Sequence, residues 1–163
     1  RVTALPEVDE SYPDTLSGEE IPLYISQEKA AAYRRFMKDN TLLITADTIV
    51  WLDGKVYGKP RDIADAKAML QALSGKTHTV ITGVTLTSLQ KQISFTVSTE
   101  VTFAALGDDE IDYYVEKYRP LDKAGAYGVQ EWIGYIGVTG LKGSYYNVMG
   151  LPIQRLYTEL KKF

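Results

Sequence analysis

The sequence has 163 residues, 45% of them hydrophobic and 24% charged, which is enough for one globular domain and argues against wholesale disorder. Its formal net charge of -3 argues against general binding to nucleic acid, which needs a strongly basic surface. The chain contains no cysteine, which excludes disulfides and thiolate metal sites, and no apolar run approaches the roughly 18 residues that would predict a membrane span.

The spacing of apolar residues predicts helices and strands that alternate along the chain. In chain order these are a polar lead-in over 1–18, a helix over 17–40, strands over 41–44, 48–52 and 55–57, a helix over 62–73, strands over 77–89 and 93–103, a helix over 108–118, strands and loops over 121–150, and a helix over 151–163. Ser17 with Glu20 resembles a capping box, Asp53-Gly54 predicts a hairpin turn, and Gly75 suits a helix end. This alternation predicts an α/β domain.

Thr45-Ala46-Asp47-Thr48 follows the apolar run that predicts a strand over 41–44. An Asp at the carboxyl end of a buried strand lies where α/β folds bind their ligands, and it can bind a metal or orient an attacking water. The alternative is that Asp47 only caps a turn through local hydrogen bonds. Spacing alone supports both interpretations equally.

Two loops carry charged residues that suit phosphate or metal. Gly58-Lys59-Pro60 holds a lysine between two residues that shape the backbone, and a lysine on a rigid loop is a good phosphate ligand. Asp9-Glu10-Ser11 holds paired acids, which can bind Mg²⁺ together with waters and substrate phosphates. Either motif by itself is more typical of solvated loop residues.

Residues 122–130 read DKAGAYGVQ and combine Asp122 and Lys123 with small residues, an aromatic ring and the amide of Gln130. Small residues let a flat ligand approach the backbone, and a side-chain amide offers a donor and an acceptor to the edge of a pyrimidine. The alternative for any one of these residues is an ordinary glycine-rich surface loop.

His78 is the only histidine, so neither a site built from several histidines nor a Ser-His-Asp triad is predicted, and a structural or hydrogen-bonding role is favoured. The chain has neither the GxxxxGKS/T loop of P-loop proteins nor the GxGxxG fingerprint of Rossmann folds. Tyrosines such as Tyr145 and Tyr146 could stack on a base, although packing is the more common role.

Taken together and in order, these motifs resemble the Maf family, whose members are also called septum formation inhibitor proteins. The resemblance runs from Val8 almost to the C-terminus. It rests on VDESYP at 8–13, SQEKA at 26–30, TADTIV at 45–50, GKP at 58–60, LSGKTHTVITGV at 73–84, DKAGAYGVQ at 122–130 and GSYYNVMGLP at 143–152. Each motif alone is weak, but their common order is specific.

The resemblance implies a single α/β domain over residues 1–163, with an elongated, curved mixed sheet flanked by helices and a deep cleft between two lobes. It implies hydrolysis of a nucleoside triphosphate to the monophosphate and pyrophosphate with a divalent metal, Mg²⁺ or Mn²⁺. The DKAGAYGVQ stretch is similar to the branch of the family that acts on dTTP and UTP, and differs from the 7-methyl-GTP branch. A homodimer and a cytoplasmic location are further implications.

The resemblance also assigns roles to individual residues. Asp47 would activate water, and Glu10 and Asp47 would bind the metal. The residues assigned to substrate binding, with lysines for the phosphates and an amide for the base, are Lys29, Thr48, Lys59, Lys123 and Gln130.

Members of the family begin with a strand and a Ser-x-Ser-Pro-Arg-Arg loop that supplies arginines to the triphosphate, and nothing in this chain matches that loop. Arg1-Val2-Thr3 is typical of a later strand. We therefore expect the physical protein to contain residues before Arg1 that supply a hydrophobic strand and an arginine-bearing loop, because strand pairing and phosphate contacts would otherwise be lost. An intact mass of 18.2 kDa would contradict this expectation.

Two functions of different classes remain open at this point. The first is a nucleotide pyrophosphatase that clears noncanonical or excess pyrimidine triphosphates. The second is a nucleotide-binding regulatory protein linked to cell division, without efficient turnover, which the unmatched arginine loop favours. Pyrophosphate release from dTTP separates the two. The negative net charge disfavours a nucleic-acid-binding protein, and no membrane partner is predicted.

Overall fold

The computed structural model describes residues 5–163, so the strand predicted at Arg1-Val2-Thr3 lies outside the described residues. The elements are α1 (Glu20–Tyr33), β1 (Leu43–Leu52), β2 (Lys55–Tyr57), α2 (Ile63–Leu73), β3 (Thr77–Thr87), β4 (Gln92–Phe103), α3 (Asp108–Tyr118), α4 (Trp132–Gly137), β5 (Val138–Lys142), α5 (Tyr145–Met149) and α6 (Ile153–Lys162), with 3₁₀ turns at Arg34–Phe36 and Ala124–Ala126. The predicted α/β class is confirmed.

The strands form a five-stranded sheet in the order β2-β1-β3-β4-β5. Every pairing among residues 5–163 is antiparallel, so the parallel pair that a mixed sheet requires is not seen there. Short connections explain two of these pairings, β1 with β2 and β3 with β4, because a tight turn can join only antiparallel neighbours. Asp53 and Gly54 both adopt positive φ, 50° and 76°, which confirms the hairpin turn between β1 and β2.

β1 is one continuous strand, although the sequence predicts two short strands over 41–44 and 48–52. Leu43 to Trp51 pair residue by residue with β3. Asp47 therefore lies in the middle of a strand, and the predictions that it ends a strand or caps a turn are both wrong. The long backbone pairing with β3 overrides the local signal of the polar residues.

The helix boundaries show which local signals hold. Asp62 caps α2, since its Oδ1 accepts a hydrogen bond of 2.7 Å from the Asp65 N–H. The capping box predicted at Ser17 and Glu20 is wrong, because α1 begins after Glu19 without a side-chain cap and Ser17 contributes only its backbone carbonyl. The segment over 121–150 contains the short helices α4 and α5, which are too short to show helical periodicity in sequence.

Helices cover both faces of the sheet. α1 packs on the face that carries Ile49 and Ile81. α2 and α3 pack on the opposite face, where Val50 and Val80 belong to the largest core cluster, and α6 packs on β3 and β4 through Leu156. Because successive strand residues point to opposite faces, the odd-numbered residues of central β1 face α1 and the even-numbered residues face the side of the sheet that carries α2, α3 and α6.

Candidate active site

A cavity of about 540 Å³ opens beside β1. β2 pairs with β1 only over Val50 to Leu52. The edge of β1 before Val50 is therefore not covered by β2 and is open to the cavity. All the residues that the sequence predicted for the site border this one cavity, although they come from distant segments: Glu10, Lys29, Asp47, Thr48, Lys59, Lys123 and Gln130.

Carboxylates and ammonium groups alternate at one end of the cavity. Lys29 Nζ, on α1, lies 3.3 Å from Glu10 Oε1 and 3.4 Å from Asp47 Oδ1. It also donates a hydrogen bond of 3.0 Å to the Ala46 carbonyl. Lys59 Nζ, on the loop after β2, lies 3.7 Å from Glu10 Oε2. This arrangement brings opposite charges together around a space that is open to a ligand.

Burial raises the pKa of Asp47 to about 6, because only 11% of its side chain is exposed. The positive charge of Lys29 lowers the pKa, and the negative charge of Glu10 raises it. A carboxyl group with a pKa near neutrality is ionised at pH 7 and is a stronger base than an exposed aspartate. Asp47 can therefore accept a proton from a water in the cavity.

The carboxylates of Glu10 and Asp47 are the candidate metal ligands. Both carboxylates contact the ammonium group of Lys29, so they lie close to each other. Residues 5–163 contain no cluster of three or more acidic or histidine side chains that could hold a metal by themselves. Mg²⁺ commonly uses one or two carboxylates and takes its other ligands from water and substrate phosphates, so this pair fits a metal that binds together with a substrate.

Residues from the segment over 122–130 also border the cavity. Lys123 Nζ lies 3.2 Å from Asp122 Oδ1 and 3.8 Å from Glu131 Oε1. Gln130 is exposed and borders the cavity. The backbone N–H of Gly125 donates to the Gly58 carbonyl at 3.1 Å, which ties this segment to the loop that carries Lys59.

Thr48 borders the cavity, but its hydroxyl already has protein partners. Its Oγ1 lies 2.8 Å from Thr82 Oγ1 and donates to the Gly150 carbonyl at 3.3 Å. These contacts hold the end of α5 against the sheet. The predicted role of Thr48 in substrate binding stays a prediction.

A comparison with known protein families matches residues 2–163 to the family described as Maf-like protein. The chain belongs to this family. The match covers almost all of the chain, so the motifs that the sequence shows in separate segments all lie within the matched residues.

Curated relatives match this chain over nearly its full length. A protein of Phocaeicola vulgatus named dTTP/UTP pyrophosphatase is 67% identical over 161 residues, which cover 99% of this chain and 83% of the relative. A Bacteroides thetaiotaomicron protein of the same name is 65% identical over 161 residues, with the same coverage. A Parabacteroides distasonis protein, also of that name, is 57% identical over 162 residues, covering 99% of this chain and 84% of the relative.

The apolar wall of this Maf-like cavity was missed by the sequence analysis. It is formed by side chains from six parts of the chain, namely Tyr12, Ile25, Ile49, Val50, Val56, Val80, Val148 and Met149. Apolar residues in strands and helices predict a core, and nothing local distinguishes one that borders a ligand. Six of these residues lie within the family motifs, but no motif by itself showed that they border a cavity: Tyr12, Ile49, Val50, Val80, Val148 and Met149.

Proposed function

We propose that this Maf-like chain is a nucleoside triphosphate pyrophosphatase that hydrolyses dTTP and UTP to the monophosphate and pyrophosphate. The observation that carries the proposal is the buried, basic carboxylate of Asp47 beside Lys29, in a cavity that Lys59 also borders. The cavity volume of about 540 Å³ is within the range of small-molecule sites. The relatives are named dTTP/UTP pyrophosphatase, which supports this substrate and this reaction.

The charges of the cavity suggest how the reaction proceeds. Lys29 and Lys59 neutralise the triphosphate and hold it at the acidic end of the cavity. Asp47 then takes a proton from a water while the water oxygen bonds to a phosphorus. The bond between that phosphorus and the oxygen that bridges the α- and β-phosphates breaks, and the products are the monophosphate and pyrophosphate.

Glu10 and Asp47 would hold a divalent cation, with the substrate phosphates and waters as its remaining ligands. Such a cation supplies positive charge to the phosphate oxygens as negative charge develops on them. Hard oxygen ligands suit Mg²⁺ or Mn²⁺. Lys29, which lies between the two carboxylates, offsets their mutual repulsion when no cation is bound.

The part of the cavity bordered by residues 122–130 would hold the base. The apolar wall can cover the faces of a pyrimidine, while the amide of Gln130 can donate to and accept from its edge. Lys123 adds a donor on the same segment. In this proposal the phosphates lie near β1 and the base lies near residues 122–130.

Release of pyrophosphate from a panel of dTTP, UTP, CTP, ATP and GTP with Mg²⁺ or Mn²⁺ tests the proposal. We expect the highest kcat/KM for dTTP and UTP and release of pyrophosphate in a one-to-one ratio with the monophosphate. Calorimetry with dTTP should run in parallel. If dTTP binds but pyrophosphate release does not exceed that of the Asp47→Asn variant, the chain is a nucleotide-binding regulatory protein and the enzyme proposal is wrong.

A further inference from the structure

Tyr114 of α3 is fully buried, but its hydroxyl group reaches the segment that borders the cavity. The oxygen accepts a hydrogen bond of 3.0 Å from the backbone N–H of Gly128. The hydroxyl donates one of 2.7 Å to Glu131 Oε1. Burial raises the pKa of Tyr114 above its usual range, so this hydroxyl remains protonated and continues to donate.

Glu131 extends this contact to a residue that borders the cavity. The same Oε1 that accepts from Tyr114 lies 3.8 Å from Lys123 Nζ. A Cβ at Gly128 would lie 2.6 Å from Glu131 Oε1 and 3.0 Å from Lys123 Cε. The side-chain ends of Glu131 and Lys123 therefore lie directly against the Gly128 backbone.

We propose that Tyr114 is a positioning residue for nucleotide binding, which acts by fixing Lys123 and the Gly128 backbone through its hydroxyl group. This inference rests on the proposed function and deepens it, because it assigns the geometry of the base end of the cavity to a residue that does not border the cavity. Without the hydroxyl, Glu131 loses its buried donor and the Gly128 N–H loses its acceptor. The segment can then occupy several positions, of which only one suits the base.

Tyr114→Phe removes the hydroxyl and keeps the ring, and Tyr118→Phe is the matched control. The Tyr118 ring stacks on the Tyr114 ring, with centroids 5.1 Å apart and planes at 26°, and it lies on the same helix. We expect Tyr114→Phe to raise KM for dTTP about tenfold, with kcat within about twofold, since a hydrogen bond to a charged group is lost. The preference for dTTP over GTP should fall, and Tyr118→Phe should behave like the wild type.

Glu131→Gln provides a second variant if Tyr114→Phe folds poorly, because it keeps the side-chain shape and weakens the same contacts. It should also raise KM for dTTP and lower base preference. Lys123→Ala in the Tyr114→Phe background should add less to KM than Lys123→Ala alone, since the two residues act through one path. A general loss of folded protein would lower kcat at constant KM and leave base preference unchanged, and that outcome would overturn the positioning role.

The positioning role can fail independently of the proposed function. If the wild type neither binds nor hydrolyses dTTP, the proposed function is wrong. Hydrogen exchange of the Gly128 amide, which needs no substrate, then tests the contact. We expect exchange in Tyr114→Phe at least about tenfold faster than in Tyr118→Phe. Equal exchange rates, or equal KM values in an active enzyme, would refute the positioning role alone.

Discussion

At the residue scale, Asp47 is held where its ionised form is unfavourable. Burial raises its pKa to about 6 from its ordinary 3.8, and the Lys29 charge offsets only part of this effect. The ionised carboxylate therefore lowers the stability of the folded chain near neutral pH. A side chain that lowers the stability of the fold in this way is typical of a residue that takes part in catalysis or binding.

Asp47→Asn should remove turnover while leaving folding and nucleotide binding largely intact. An amide neither ionises nor accepts a proton usefully, so we expect kcat to fall by about a thousandfold or more. The melting temperature should stay the same or rise, because the unfavourable buried charge is gone. Asp122→Asn, which removes an exposed carboxylate from the same cavity, is the control and should keep most activity. Turnover near the wild-type level in the purified Asp47→Asn protein would remove Asp47 from the mechanism.

Gln130→Ala should weaken discrimination between pyrimidine and purine triphosphates. The loss of a hydrogen-bonded pair at a base edge changes relative kcat/KM by about 1–3 kcal/mol, or roughly five- to 150-fold. Lys59→Ala is the contrasting variant, because a phosphate contact is common to all bases and its loss should weaken all of them equally. Unchanged relative kcat/KM in Gln130→Ala would show that another residue reads the base.

At the element scale, the contact of α1 with β3 controls where Lys29 lies. A Cβ at Gly83 of β3 would lie 2.5 Å from both the carbonyl carbon and the oxygen of Pro22, and 2.6 Å from the Leu23 nitrogen. These are backbone atoms of the helix, which cannot rotate away as a side chain can. The absence of a side chain at Gly83 therefore sets the distance between the helix and the sheet.

Gly83→Ala should destabilise the fold by about 3 kcal/mol or more, because overpacking against backbone atoms forces the helix to move. Denaturation in urea measures the free energy of unfolding, and activity should fall as Lys29 moves with α1. Gly140→Ala on β5 is the matched control, since its Cβ would meet nothing closer than 3.7 Å. Equal stability of the two variants would contradict the proposed steric limit.

At the scale of the whole molecule, His78 connects the sheet to the segment over 122–130. Its Nε2 lies 2.6 Å from the Tyr127 hydroxyl oxygen, and its ring packs edge-on against Phe103. His78 is buried and its Nδ1 has no hydrogen-bond partner among the described residues. Burial lowers its pKa to about 4 from the ordinary 6.5, which confirms a structural, hydrogen-bonding setting for this side chain.

The low pKa of His78 predicts a loss of stability in acid. The unfolded chain binds a proton at His78 below pH 6.5, whereas the folded chain binds it only near pH 4. The stability that neutral His78 contributes to the folded chain is therefore fully present above pH 6.5 and is lost as the pH falls through about 4. The full loss is roughly 3 kcal/mol. Asp47 acts in the opposite sense, because its raised pKa adds stability as the pH falls through about 6.

The difference in unfolding free energy between the wild type and His78→Gln isolates this effect, since Asp47 contributes equally to both proteins. We expect the wild type to lose stability relative to His78→Gln between pH 7 and pH 4.5. Urea denaturation at the two pH values measures this difference. A difference that does not change with pH would show that His78 is protonated equally in the folded and unfolded chains.

The sequence by itself determined the α/β class, the limits of α2 and α3, the hairpin turn at Asp53-Gly54 and the family motifs. These features depend on local periodicity, turn chemistry and short runs of residues, which neighbouring positions encode. The residues that the motifs predicted for the site all border the cavity, but its apolar wall was not predicted. Their catalytic and binding roles remain proposals.

Only the tertiary structure decided features that depend on distant partners. Pairing with β3 made β1 one strand and placed Asp47 in its middle. The meeting of Glu10, Lys29 and Asp47 required α1 to pack on the sheet. Burial in the fold raised the pKa of Asp47, a carboxyl group that sequence alone would treat as ordinary. The contact of Tyr114 with the segment over 122–130 cannot be predicted from neighbouring residues, because a buried tyrosine is interpreted as a core residue until the partner of its hydroxyl is known.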